Sequence, residues 1–164
     1  MQNLENKKRM ETWKVQSSDE KGFHKVITPD TCECQEAQMF RLNLSAGESY
    51  TLESKELELH PVLLAGKAKL SGHASLDQDM EKFDSCYIPG NDKLTITAKE
   101  DCIFYIAGAK YEGIGEPHFR KFDITLPIGD VHQIHGEGVG QREVMFTLAP
   151  QDSASKLICG LTWS

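Results

Sequence analysis

The sequence predicts an all-β sandwich. Short apolar runs alternate with polar residues at period two along most of the chain, and Gly- and Pro-containing turn clusters separate them at a spacing typical of sandwiches and barrels. No helical stripe extends beyond two turns.

Residues 1–21 are polar, with Leu4, Met10, Trp13 and Val15 as the apolar anchors, and predict an N-terminal arm, either a short helix or a loose segment, whose first residues fray. Residues 22–164 are expected to form a single domain. Phe23-His24-Lys25-Val26-Ile27 reads as a strand that Thr28-Pro29-Asp30 breaks. Met39 to Leu44 alternates, with Phe40, Leu42 and Leu44 on one face, and Ser45-Ala46-Gly47 turns the chain. Tyr50-Thr51-Leu52 continues as a strand. His60 to Leu64 begins the next, with Pro61 predicting a strand start or an edge because proline cannot donate to a ladder. Lys67 to Leu70 follows Ala65-Gly66, and residues 71–83 read as an exposed connection. Cys86-Tyr87-Ile88 leads to the turn Pro89-Gly90-Asn91-Asp92. Residues 94–98 and 103–107 form a further pair of strands, and 108–118 is Gly-rich and irregular. Residues 119–126 predict a strand and 130–141 a loop containing Gly and His. Residues 143–148 and 157–163 close the chain as strands.

The charge balance narrows the partners. With a formal charge of −7 and no basic stripe beyond Lys7-Lys8-Arg9, neither a nucleic acid nor an anionic membrane is expected. No apolar run approaches the ~20 residues needed to span a bilayer, and the polar start is not a signal peptide, so a cytoplasmic location is expected. The five cysteines are odd in number, and Cys32-Glu33-Cys34 is too tight for a C-x2-C zinc half-site. Reduced thiols in a reducing compartment are therefore expected.

Two glycines, Gly47 and Gly66, bracket a pair of alternating runs. In spacing this stretch resembles the first sequence motif of the cupins: Gly, five residues, His-x-His, three or four residues, Glu, six residues, Gly. The glycines fit, but Glu53, Lys55 and Leu59 stand in the ligand positions. Lys93, three residues after Gly90, stands where the second motif carries its histidine. Cupin sites hold a metal with imidazole and carboxylate donors. A lysine is cationic and leucine offers no donor, so neither a metal nor another cofactor is expected here. The same residues admit two readings. Glu53 can pair with Lys55 or Lys93 at the mouth of the sandwich, or Glu53, Lys55 and Lys93 can bind a sugar acid whose carboxylate a lysine attracts.

His132 and His135 form an H-x2-H, with His118 nearby in sequence. They are candidate metal ligands, but no acidic or cysteine partner stands at ligand spacing, and polar loop histidines are the simpler reading. His60, beside Pro61, reads as a packing residue. Gly136-Glu137-Gly138-Val139-Gly140 lacks the preceding strand, the following helix and the Lys-Ser/Thr of a phosphate loop. No nucleophile motif is present.

Over residues 26–164 the chain resembles the N-terminal half of the uronate-isomerase bicupins, the 5-deoxy-glucuronate isomerases and the related 4-deoxy-5-ketouronate isomerases. The stretches that carry the resemblance are Val26-Ile27-Thr28-Pro29, residues 44–53, Val62-Leu63-Leu64-Ala65-Gly66-Lys67-Ala68, Tyr87-Ile88-Pro89-Gly90, Ile106-Ala107-Gly108-Ala109, residues 135–144 and Ala154-Ser155-Lys156-Leu157-Ile158. The resemblance implies a cupin-type jelly-roll β-sandwich. It also implies aldose–ketose isomerisation of a deoxy uronate by a divalent metal held in a second cupin. This chain matches the half without the metal, so no catalytic residue carries over. The implied role is a scaffold that packs on a catalytic cupin or forms a homo-oligomer and is inactive alone. The alternatives are a metal-free sugar-acid binding module and a dimerisation module.

Overall fold

The computed structural model describes residues 14–163. The expected frayed start falls largely on residues outside that range. Within the range the chain is all-β, with thirteen strands and one 3-10 turn, Gly138–Gly140. The larger sheet has six strands side by side, in the order β1 (Gly22–Ile27), β2 (Ala37–Leu44), β9 (Cys102–Lys110), β4 (Leu57–Ala65), β7 (Ser85–Tyr87) and β10 (His118–Arg120). Facing it is a four-stranded sheet, ordered β3 (Ser49–Glu53), β8 (Lys93–Ala98), β5 (Ala68–Ser71) and β6 (Asp79–Met80). A third sheet, β11 (His132–His135), β12 (Arg142–Leu148) and β13 (Cys159–Trp163), is built from the C-terminal part of the chain.

The period-two pattern determines which side chains fill the sandwich. Phe40, Ile106 and Pro61 share one row of the large sheet, and Leu42, Phe104 and Leu63 share the next. From the small sheet, Leu52 pairs with Leu94, and Tyr50 lies in a row with Ile96 and Leu70. These rows form one apolar core, in which each fully buried Leu, Ile or Phe contributes about 1.5–3 kcal/mol. The opposite rows of the large sheet, Met39–Ala107–His60 and Arg41–Tyr105–Val62, face outward.

Four local expectations are corrected. Pro61 lies inside β4, between β9 and β7, not at a strand start. On the β7 side the ladder is carried by Leu59, bonded both ways with Ile88, and by Leu63, which donates to Asp84. Pro61 falls midway between them, so the sheet tolerates it by leaving out one rung. Residues 71–83 are not simply an exposed connection, because Leu76 and Met80 are fully buried and β6 adds a short strand. Residues 119–126 are strand only as far as Arg120. Residues 130–141 contain β11, paired with β12, in place of a continuous loop.

The turn between β4 and β5 needs glycine. Gly66 has φ +82°, and a Cβ built there would lie 2.1 Å from the Asp101 carbonyl oxygen. This glycine closes the motif that begins at Gly47.

Candidate functional site

The interior of the sandwich, where a cupin metal would sit, is apolar. Leu52, Leu59 and Leu94 are almost completely buried there, beside Phe40 and Ile106. Glu53 and Lys93 are directly opposite one another across β3 and β8, on the exposed face of the small sheet. Lys55 sits in the following turn at φ +51°. The expected ion pair does not form, since among the described residues Glu53, Lys55 and Lys93 make no salt bridge with one another. Glu53 and Lys55 line a shallow groove of about 220 Å³ together with Phe23 and Tyr50, whose rings stack 5.4 Å apart. Lys93 is not among its lining residues. A divalent ion needs several N or O donors converging on one point, and the residues at these positions do not fit it: one carboxylate and two ammonium groups face solvent, and a leucine faces the core.

The H-x2-H pair is also separated. β11 is a strand, so residues three apart point to opposite faces. His132 is buried, with Nδ1 2.6 Å from the Leu126 carbonyl and Nε2 2.5 Å from Glu143 Oε1. The carbonyl contact, followed by Glu143, raises its pKa above the ordinary histidine value. His135 is exposed and bonds Gln133. Among the described residues no group of three or more His, Cys, Asp or Glu is gathered to hold a metal.

The concentrated polar chemistry lies on the outer face of the large sheet, beneath the third sheet. His60, Tyr87 and His118 occupy one row across β4, β7 and β10, and their neighbours along the strands are Glu58, Ser85 and Arg120. Glu58 is fully buried. It accepts Tyr87 O–H at 2.7 Å and the backbone N–H groups of Ser155, Lys156 and Leu157 at 2.7, 2.7 and 2.8 Å. Arg120 donates to both oxygens of Asp152 at 2.8 and 2.6 Å, and one of those oxygens also accepts Ala149 N–H. His60 Nε2 lies 3.0 Å from Thr147 Oγ1, and Ser85 Oγ donates to the Thr147 carbonyl. The Tyr87 ring stacks on His118 at 5.5 Å. These contacts fasten β12 and the segment before β13 to the barrel.

Burial, reinforced by His118, pushes the His60 pKa down to about 3. The nearby Cys86 carbonyl favours the proton but does not offset burial, and His60 Nδ1 remains without a hydrogen-bond partner. His60 is therefore neutral near pH 7 and is not set up as a general acid or base. Burial and then the Glu58 carboxylate hold the Tyr87 phenol well above its usual range. Burial drives the Cys86 thiol up to about 12, and burial with Glu58 does the same to Cys159. With Glu58, Arg120 and Asp152 paired and His60 and Tyr87 held neutral, this layer makes a rigid joint rather than a reactive centre. Reading the strands alone missed Glu58, Tyr87, Arg120 and Asp152. The available signal was the placement of Glu58 and His60 at alternate positions of an otherwise apolar central strand.

Comparison with known proteins places this geometry among relatives. The model of the KduI/IolB family matches residues 12–164. An IolB-like protein from Salmonella typhimurium LT2 superposes with a TM-score of 0.74 at 22% identity, covering 91% of this chain and 59% of that one. The likeness establishes a shared fold, and the chain spans 59% of that protein's length. A mutant of Bacillus subtilis oxalate decarboxylase gives a TM-score of 0.49 at 16% identity, covering 58% of this chain and 28% of the other. An RmlC-like cupin family protein with a double-stranded β-helix fold from Methanocaldococcus jannaschii gives 0.47 at 16% identity, covering 58% and 85%. No curated protein matches the sequence.

Proposed function

The chain belongs to the KduI/IolB family, and from that premise we propose that it is the metal-free cupin of a deoxy-uronate isomerase, a scaffold without turnover of its own. The observation that carries this reading is the apolar interior: Leu52, Leu59 and Leu94 occupy the space in which a cupin gathers its metal donors. The polar joint beneath the third sheet supports it, since its carboxylates are paired and its buried His60 is held neutral rather than poised for proton transfer. In this role the chain positions a catalytic cupin for aldose–ketose isomerisation of a sugar acid. Its place is the cytoplasm, and no helix among the described residues is long and apolar enough to cross a membrane. The test is an isomerase assay of residues 1–164 on 5-deoxy-glucuronate with added divalent metal. No turnover above background is expected, and turnover abolished by a chelator overturns the reading.

A second reading is favoured by the groove at Phe23 and Tyr50, where stacked rings adjoin Lys55 and Glu53. Aromatic faces beside an ammonium group suit a sugar acid, which would bind there without metal. Lys93 lies opposite Glu53 across the two strands but does not line the groove, so Lys55 is the cation this reading relies on. A uronate at 100 times its Kd should stabilise the protein by about 2.7 kcal/mol, and Lys55→Ala should remove the effect. If a panel of uronates gives no thermal shift, this reading is lost.

A further inference from the structure

Cys32-Glu33-Cys34 lies in the loop between β1 and β2, residues 28–36. Its start is pinned. The carbonyl of buried Thr28 accepts the N–H groups of Thr31 and Cys32 at 2.9 and 3.1 Å, and Thr28 N–H donates to Thr31 Oγ1 at 2.8 Å. Cys32 and Cys34 are both free thiols, and Cys34 N–H donates to Cys32 Sγ at 3.3 Å. Within one cysteine the amide nitrogen and the sulfur are at most about 4 Å apart, so the two sulfurs lie within roughly 7 Å of each other.

Both thiols line one groove of about 410 Å³. Val15, Ile27, Ala37 and Met39 complete its apolar wall, and Glu33 and Gln38 are its polar members. Met39, on the outward side of β2, brings a polarisable thioether to the same groove as the thiols. Three sulfur side chains therefore share one largely apolar recess, and the only charged group lining it is Glu33, which is exposed. None of the three belongs to the core of the sandwich.

We propose that Cys32, Cys34 and Met39 bind a soft monovalent metal ion, Cu(I). Thiolate and thioether ligands select Cu(I) over harder ions, and as few as two or three sulfurs satisfy it. A structural zinc takes four donors, and among the described residues no group of three or more His, Cys, Asp or Glu is gathered to supply them. With metal–sulfur bonds of roughly 2.3 Å, an ion bridging the two thiolates needs them about 4–5 Å apart. Rotation of the exposed Cys34 side chain about χ1 brings that separation within reach. On binding, both thiol protons leave to solvent, and two thiolates with one Cu(I) form a complex of net charge −1. Cys34 N–H then donates to a metal-bound thiolate. This inference is independent of the scaffold reading, because these sulfurs lie outside the sandwich and leave its interior without metal donors.

Anaerobic titration of the full chain with Cu(I), in competition with the chromogenic chelator bicinchoninate, tests the proposal. One equivalent should bind ahead of any other and should resist an excess of Zn(II). Cys32→Ser and Cys34→Ser should each weaken binding by roughly a hundredfold, and Met39→Leu, which conserves volume, by about tenfold. Cys159→Ser, whose thiol lies outside the groove, is the control and should leave the affinity unchanged. Thermal melts of the metal-free variants, expected to match the unaltered chain, separate a lost ligand from a lost fold. Copper X-ray absorption of the unaltered chain gives a second readout, with sulfur as the ligating element. The proposal is overturned if the unaltered chain yields copper to the chelator as readily as Cys32→Ser does. Equal losses in Cys159→Ser and Cys34→Ser overturn it too, as does full affinity in Met39→Leu, displacement by Zn(II), or nitrogen and oxygen ligation at the copper.

Discussion

Glu58 occupies a position as dry as the leucines beside it, yet it accepts four hydrogen bonds. Three of the four donors are consecutive backbone N–H groups, so the carboxylate fixes backbone that has no other partner of this kind. Glu58→Ala should lower unfolding free energy by about 3–5 kcal/mol in urea titration, because the loss leaves buried donors unpaired. Tyr87→Phe removes one bond and should lower it by about 1–2 kcal/mol. Two histidines give opposite pH dependences. The His60 pKa is depressed to about 3, below an unfolded value near 6.5. The unfolded chain therefore binds the extra proton between those limits, and stability falls as pH drops through that window. His60→Gln should flatten the slope between about pH 6.5 and 3 in a pH series of urea melts. The His132 pKa is raised. Its contribution is complete below about 6.5 and is lost as pH rises through the folded value. Ring NMR titration should show His132 changing charge at a higher pH than a free histidine.

The elements most legible in the sequence are those buried on one face only. β8 and β9 alternate cleanly because one side packs in the sandwich and the other is only partly covered. β6 was hidden because its two residues lie in a polar stretch, and only Leu76 and Met80 marked that stretch as part of the core. Leu76→Ala should destabilise by about 2–5 kcal/mol, the range for large-to-small core changes, where an exposed connection would tolerate it. Glu58 and His60 were hidden for a different reason. Alternation correctly assigns them to the outer face of β4, but it does not reveal that a third sheet covers that face. The turn at Gly66 was legible as a motif position. Its physical basis, a left-handed φ and a backbone oxygen in the space of a Cβ, emerges only when Asp101 is placed.

At the scale of the molecule, the boundary expected at residues 21 and 22 is bridged by contacts. Ser17 Oγ accepts from Arg41 Nη1, and the Asn43 amide donates to the carbonyls of Ser18 and Glu20. Removing residues 1–20 should expose or orphan these groups and lower stability by about 1–3 kcal/mol in a urea melt. The fold was readable because sheet geometry repeats locally, whereas the joint at Glu58 depends on residues far apart in the chain. Its three backbone donors come from positions 97, 98 and 99 residues later. During synthesis at about 5–20 residues per second, Glu58 leaves the ribosome roughly 5–20 s before those donors do. Until then its carboxylate must remain hydrated, so the outer face of β4 cannot dry. Residues 155–157 therefore seal the carboxylate only after the sandwich strands that precede them have been made.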